Sequence, residues 1–314
     1  MGEGGFSCEY VYMAPDFVRA EEAAVSIWSH GFNYGTSVFE GIRGYWNASE
    51  GELYIFRLPE HLDRLRRSGR ILGIKLPGDV PELTEFCCEL VRRNRFQEDV
   101  YLRPVAYKGV PPELGVTLTH APDHFLIYGF PLGEYLSRDR ALRVCISSWQ
   151  RISDNAAPAR GKIGGTYVNP ALAKTDAVER GFDECIMLTA QGTVAEGSTE
   201  NLFLVQGGEL ITPSVTEDIL VGITRDTIIE LAESAMELKV TERIVDRSEL
   251  YVADECFFCG TGAEVSGIGE IDGRQIGDGG VGPVTRQIQG LYRKVVRGTL
   301  EKYRRWCTPA YKPT

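Results

Sequence analysis

Residues 160–167 read Arg-Gly-Lys-Ile-Gly-Gly-Thr-Tyr, with three glycines placed around one lysine near the middle of the chain. Glycine opens backbone dihedrals closed to other residues and lets the main chain approach a bound group closely. Between an expected strand at 142–149 and an expected helix at 171–180, such a segment must be a fixed irregular connection or an exposed loop. In the first case Lys162 can shed hydration and act as a neutral amine nucleophile toward a carbonyl. In the second it is one more solvated surface charge, as most lysines are.

Composition narrows the setting. A chain of 314 residues exceeds a typical single domain and suggests two. Its 43% hydrophobic and 25% charged residues suit a globular protein that can bury a core without disulfides or metal. A formal net charge of −10 argues against a nucleic-acid partner, which needs a basic face. No apolar run approaches a membrane span, and the N-terminal residues lack the basic and apolar regions of a signal peptide. A cytoplasmic protein is the expectation. The cysteines at 8, 87, 88, 145, 185, 256, 259 and 307 are too scattered for a disulfide framework and read as reduced. Cys256 and Cys259 have redox spacing, but they fall on an expected strand at 251–259, where they point to opposite faces. His120 and His124 are four apart, yet Pro122 between them disfavours the helix a metal pair would need, so no metal site is expected.

The hydrophobic pattern alternates short strands with amphipathic helices. Strands are expected at 9–13, 21–27, 52–56, 100–107 and 124–130, and helices at 59–72 and 81–95. The polar run 133–141 reads as a connection, giving a smaller N-terminal domain at 1–135, a link at 136–141 and a larger C-terminal domain at 142–314. In the second half, strands at 185–189 and 202–205 precede a helix that opens at Gly222-Ile223-Thr224. Free N–H groups and a hydroxyl at such a helix start suit a phosphate. Gly260-Thr-Gly-Ala-Glu-Val-Ser-Gly267 superficially suggests a dinucleotide loop, but residues 265–276 read as a hairpin turning at Asp272-Gly273 rather than the helix that motif requires. A last helix is expected at 283–303, and the tail 308–314 reads as loose.

Three features belong together chemically. Lys162 can bear a carbonyl cofactor, Glu196 can meet a ring nitrogen, and the helix start at Gly222–Thr224 can hold a phosphate; these are the needs of pyridoxal 5'-phosphate (PLP). Ser29-His30, Tyr34-Gly-Thr-Ser-Val-Phe-Glu-Gly-Ile-Arg43, Tyr101-Leu-Arg-Pro104, Gly161-Lys162 with Gly164, Gly165 and Tyr167, Glu196-Gly197, Glu200-Asn-Leu-Phe203, Gly222-Ile-Thr-Arg-Asp226, Gly260-Thr261 with Ala263-Glu264 and Gly282-Pro-Val-Thr285 stand in this order. Over nearly the whole chain this set closely resembles the branched-chain amino acid aminotransferases, fold-type IV PLP enzymes. The resemblance implies an α+β fold of two α/β domains with the cofactor at their interface, and a homodimer or larger homo-oligomer.

By the same resemblance Lys162 is the Schiff-base lysine and proton shuttle, Glu196 the partner of the pyridine nitrogen, and Tyr167 the donor to the phenolic oxygen. The phosphate is expected among Arg64, the backbone of Ile223 and Thr224, and Thr261, with Arg66 and Arg67 left on the solvated face. Tyr34, Phe39, Tyr101, Arg103 and Tyr135 match positions lining the substrate pocket. Thr261 and Gly262 match those that meet the substrate α-carboxylate. The implied activity moves the amino group of L-leucine, L-isoleucine or L-valine to 2-oxoglutarate. Leu132 where relatives often carry tryptophan, Gly262 where alanine is common, and the loop 109–116 depart from the pattern near the substrate. They keep open an (R)-amine or D-amino acid transaminase, or an aminodeoxychorismate lyase, on the same scaffold. A nucleotide-dependent oxidoreductase built on 260–267 is the rival of another class.

Overall fold

The computed structural model describes residues 7–312 apart from Tyr135 and Arg138. The chain forms two compact units. One takes the chain up to Gly133, the segment Gly161–Gly165 and the chain from Lys294 on; the other takes Glu134–Arg160 and Thr166–Arg293. The sequence suggests a second domain unbroken from residue 142. The lysine segment and the C-terminal residues instead pack with the first unit, because their partners are strands and helices far away in sequence.

The first unit is built on an antiparallel sheet in the order Cys307–Pro309, Glu52–Phe56, Ile42–Asn47, Val100–Lys108, Asp123–Pro131, Tyr10–Met13, Asp16–Arg19, with Ser37–Phe39 also paired to Val100–Lys108. Along Val100–Lys108 buried and half-buried residues alternate strictly. That two-residue period gives one face to the core (Val100, Leu102, Ala106) and leaves Tyr101 and Arg103 together on the other. Helices Leu58–Ile71 and Val80–Asn94 cover the core face with Leu58, Leu62, Leu65, Leu83, Leu90 and Val91. The second helix starts on a reciprocal capping box between Asp79 and Glu82.

The second unit has a mixed sheet in the order Val194–Gly197, Glu184–Leu188, Leu142–Ile146, Glu264–Ile271, Glu255–Gly260, Asn201–Gln206, Glu209–Pro213, Val240–Arg243. Leu142–Ile146 pairs in parallel with Glu184–Leu188, and Glu209–Pro213 with Val240–Arg243. These two pairs need crossovers, supplied by helices Val168–Glu179 and Ile223–Met236, while Leu142–Ile146 also pairs in parallel with the distant Glu264–Ile271. The hairpin expected at Asp272-Gly273 is present, both residues having positive φ (51° and 75°). Cys256 and Cys259 are buried in Glu255–Gly260, and the cysteines are free thiols.

Three expectations fail locally. No strand forms at 21–27; Ala20–Glu22 is a short 3-10 turn, and Val25, Ile27 and Trp28 are exposed, so no core draws that segment into a sheet. The last helix stops at Val296, just before Gly298 at φ 69°, and a separate 3-10 segment follows at Glu301–Trp306. The tail is docked as far as residue 312. The buried Glu52 carboxylate accepts the backbone N–H groups of Ala310, Tyr311 and Lys312 at 2.9–3.0 Å. Among the described residues no helix is long and apolar enough to cross a membrane.

Candidate active site

In the first unit the lysine segment is clamped onto the strand Ser37–Phe39. The Lys162 N–H donates to Ser68 Oγ at 3.1 Å, and the Lys162 carbonyl accepts from the Phe39 N–H at 3.1 Å. Close approach depends on two glycines. Gly165 N–H donates to the Gly35 carbonyl at 2.9 Å, and a Cβ on Gly35, whose φ is +67°, would lie 2.5 Å from Gly165 Cα. So held, Lys162 Nζ sits 5.0 Å from the centre of the Phe39 ring, and the Arg103 guanidinium lies 4.5 Å from the same centre. Arg103 Nη2 donates to Tyr101 Oη at 2.7 Å. Phe39, Tyr101, Arg103 and Lys162 are thus brought together. Tyr34 lies on the helix His30–Tyr34, 43% exposed, with its ring 4.6 Å from His30. Tyr135 lies outside the described residues.

The helix Leu58–Ile71 carries a polar seam inside its apolar stripe. His61, Arg64 and Ser68 recur at three- and four-residue spacing and are buried beside Leu58, Leu62 and Leu65. Arg64 turns inward, while Arg67 stays exposed and pairs with Asp63. What draws Arg64 in is Glu40. Its carboxylate accepts from Arg64 Nε at 2.7 Å and Nη2 at 2.8 Å, and from His61 Nδ1 at 2.7 Å. Burial pushes the Glu40 carboxyl upward, but the charge and bonds of Arg64 and the bond from His61 outweigh it and hold it at about 2. His61 is lowered by its own burial, with the Arg64 and Lys162 charges adding to that and Glu40 opposing it. Its Nδ1 therefore carries the proton that Glu40 accepts.

The second unit holds the remaining candidates. Glu196 lies on Val194–Gly197 just after a β-bulge. Val194 faces Leu188 but Glu196 faces Met187, so the extra residue turns Glu196 to the opposite side from Val194. The side chain is buried and held by Arg151 Nη2 at 2.7 Å from Oε1. Asn201 Nδ2 lies at 3.0 Å and the Leu220 N–H at 3.2 Å from Oε2. The helix Ile223–Met236 begins at Gly222 without a side-chain cap, and Thr224 is buried in its first turn. Thr261 and Gly262 are half-buried between the strands Glu255–Gly260 and Glu264–Ile271. Tyr167 ends the 3-10 turn Gly164–Tyr167 and is half-buried.

Sequence reasoning assigned no role to Glu40, His61, Ser68, Arg151 or Asn201. Glu40 left a signal, a lone carboxylate between Phe39 and Gly41-Ile42 in an otherwise uncharged run. Arg151 left none, since nothing in its neighbours distinguishes it from a surface arginine. Leu132, one of the departures, is fixed by its main chain, its N–H on the Asp99 carbonyl at 2.9 Å and its own carbonyl accepting from Arg43 Nη2 at 2.8 Å.

Known proteins decide what this arrangement belongs to. The family described as amino-transferase class IV matches residues 37–271. The chain belongs to the class IV aminotransferases. It is 45% identical to a probable branched-chain-amino-acid aminotransferase of Aquifex aeolicus, over 98% of each chain. Among solved structures, the PLP-form of the branched-chain amino acid aminotransferase of Thermobaculum terrenum matches with TM-score 0.93 at 40% identity, covering 98% of this chain and all of that one. The branched-chain aminotransferase of the archaeon Thermoproteus uzoniensis, solved with norvaline, matches with TM-score 0.92 at 42% identity, over 97% of this chain and all of that one. Residues 260–267 span a strand end and an antiparallel return, not the strand-to-helix turn a dinucleotide loop needs.

Proposed function

We propose that this class IV aminotransferase is a PLP-dependent branched-chain-amino-acid aminotransferase, transferring the amino group of L-leucine, L-isoleucine or L-valine to 2-oxoglutarate. The observation that carries the reading is the Phe39 ring with Lys162 Nζ at 5.0 Å and the Arg103 guanidinium at 4.5 Å. One face of the first unit thereby offers an amine for proton transfer and a cation for a second carboxylate beside apolar surface.

The donor set fits PLP. A buried arginine and a helix start without a side-chain cap suit its phosphate, and a buried carboxylate held from both oxygens suits its ring nitrogen. When bound, PLP supplies the aldehyde that accepts the amino group and a ring that withdraws electrons from the substrate Cα. Arg64, the Ile223 and Thr224 backbone and Thr261 hold the phosphate in this reading, and Tyr167 donates to the phenolic oxygen. Glu196 keeps the ring nitrogen protonated. Lys162 takes the proton from the substrate Cα and later returns one to the product. Thr261 and Gly262 bind the α-carboxylate, while Phe39, Tyr101 and Arg103, with Tyr34 and Tyr135, face the substrate side chain. A homodimer or larger assembly, in the cytoplasm, completes the proposal. Ile27, Trp28 and Phe32, exposed at 65%, 72% and 73% within one short segment, support a buried contact between copies.

The (R)-amine, D-amino acid and lyase alternatives are not favoured, since the relatives matched over nearly the full chain carry branched-chain names. An amino-donor panel with 2-oxoglutarate as acceptor tests the function. Rapid turnover of L-leucine and none of either enantiomer of an aryl amine is the expected result; preferred use of the (R)-amine would overturn it. Lys162→Ala should abolish turnover and the borohydride-dependent fixation of cofactor to protein, and turnover retained in that variant would remove Lys162 from the mechanism.

A further inference from the structure

We propose that Gly41 is a positioning residue for acceptor specificity, leaving the space in which the Tyr101 hydroxyl locks Arg103. Gly41 is buried between the strands Ser37–Phe39 and Ile42–Asn47. Ile42 and Arg43 pair with Leu102 and Tyr101, which lays Gly41 alongside the segment that carries Tyr101 and Arg103. A Cβ built on Gly41 would stand 2.0 Å from Tyr101 Oη, 2.8 Å from its Cζ and 3.2 Å from Cε2. Gly41 is not among the positive-φ glycines, so its backbone accepts alanine. The three nearest atoms that such a Cβ would meet all belong to the Tyr101 side chain.

One side of that ring is already occupied. Its cross-strand neighbour is Phe130, with ring centres 5.5 Å apart. A rotation that clears a methyl at position 41 has to move Oη, the atom that accepts from Arg103 Nη2 at 2.7 Å. Arg103 lies over both Phe39, at 4.5 Å, and Tyr101, at 5.1 Å, so it loses a hydrogen bond and half of its stacking platform together. A substrate whose far end is a carboxylate depends on that fixed guanidinium; one whose far end is a branched hydrocarbon does not. The glycine therefore acts on one of the two substrate classes through two intervening side chains.

The inference rests on the reading of Arg103 as the carboxylate-binding group, and the test separates the two. KM for 2-oxoglutarate and for L-leucine is measured in the wild type and in Arg103→Gln, Tyr101→Phe and Gly41→Ala, with thermal unfolding as the control for folding. Gly41→Ala and Tyr101→Phe are expected to raise KM for 2-oxoglutarate about tenfold, while KM for L-leucine in Gly41→Ala changes by less than about twofold. A selective rise in Arg103→Gln without one in Gly41→Ala overturns the role of Gly41 and leaves the reading of Arg103 intact. Equal rises for both substrates in Gly41→Ala also overturn it, because a general distortion does not distinguish acceptor from donor. No selective rise in Arg103→Gln removes the reading and the proposal with it. Should Gly41→Ala fail to fold, Gly41→Ala in the Tyr101→Phe background decides, and a further selective rise beyond that of Tyr101→Phe alone overturns the proposal, because Gly41 would then act on Arg103 other than through the hydroxyl.

Discussion

Each unit of the molecule has a buried glutamate whose carboxyl is shifted far from its ordinary value, and the two shift in opposite directions. Glu40, in the first unit, is held down to about 2, because Arg64 and His61 together overcome its burial. Glu200, in the second, is pushed up to about 7 by burial, with the neighbouring Glu184 charge adding to it. Glu184 is itself buried and takes the Lys174 ammonium at 2.6 Å. Burial is common to both, so it cannot be what separates them; the sign of the nearest charge is. Glu40 is thereby a permanent counter-charge that fixes the direction of Arg64. Glu200 follows Glu196 by four residues and is a carboxyl that changes charge near neutral pH.

The largest effect expected from this contrast is at Glu40. Glu40→Gln keeps the shape and leaves Arg64 a buried cation facing an amide, and breaking such a pair costs about 3–5 kcal/mol. Urea unfolding of the cofactor-free protein at pH 7 measures the loss, and a variant as stable as the wild type would mean that Arg64 is balanced elsewhere. The acid limb gives a second readout. A carboxyl lowered from 4.5 to about 2 contributes stability that is complete above pH 4.5 and is lost as the pH falls toward 2. That part of the acid unfolding should vanish in Glu40→Gln.

Glu200 predicts the reverse sign. A carboxyl raised from 4.5 to about 7 favours the folded state fully below pH 4.5 and progressively less as the pH rises to 7. Glu200→Gln cannot acquire the buried charge, so above pH 7 it should be more stable than the wild type by on the order of 1–3 kcal/mol, converging with it near pH 4. Melting temperatures across pH 4–9 check this. Parallel curves for the two proteins would show that Glu200 does not titrate in this range.

Little of this contrast was legible in the sequence. The strict alternation along Val100–Lys108 and the stripes of the helices Leu58–Ile71 and Val80–Asn94 were readable, because one-sided burial imposes a period on the residues themselves. The period did not say which arginine of the run 64–70 turns inward, since that depends on Glu40, twenty-four residues away and on another element; only the family resemblance named Arg64, which is indeed buried. The direction of Glu196 depends on a bulge, and an extra unpaired residue has no sequence period. The glycines around Lys162 were visible as an unusual segment, but the strand and helix they press against belong to distant parts of the chain. The tail shows the same limit. Its order comes from the Glu52 carboxylate about 260 residues earlier, and composition near a terminus carries no trace of such a partner.

The smallest test probes the donors that oppose the upward push on Glu200. Thr199 Oγ1 donates to Glu200 Oε1 at 2.6 Å, and the Thr199 N–H donates to Oε2 at 3.0 Å; both favour the charged carboxylate. Thr199→Val removes the first bond and keeps the second, with nearly the same side-chain volume on an exposed residue. Losing one hydrogen bond to a charged group costs about 1.5–3 kcal/mol at most and less where water can replace the donor, so roughly 1 kcal/mol is expected. The cost should appear only above pH 7, where Glu200 is ionised, and should be small at pH 5, where it is protonated. A loss equal at pH 5 and pH 8.5 would mean that Thr199 supports the turn rather than the charge. A loss confined to the alkaline side would show that the charged form of Glu200 is tolerated through neutral donors beside the Lys174 charge, where Glu40 relies on an arginine.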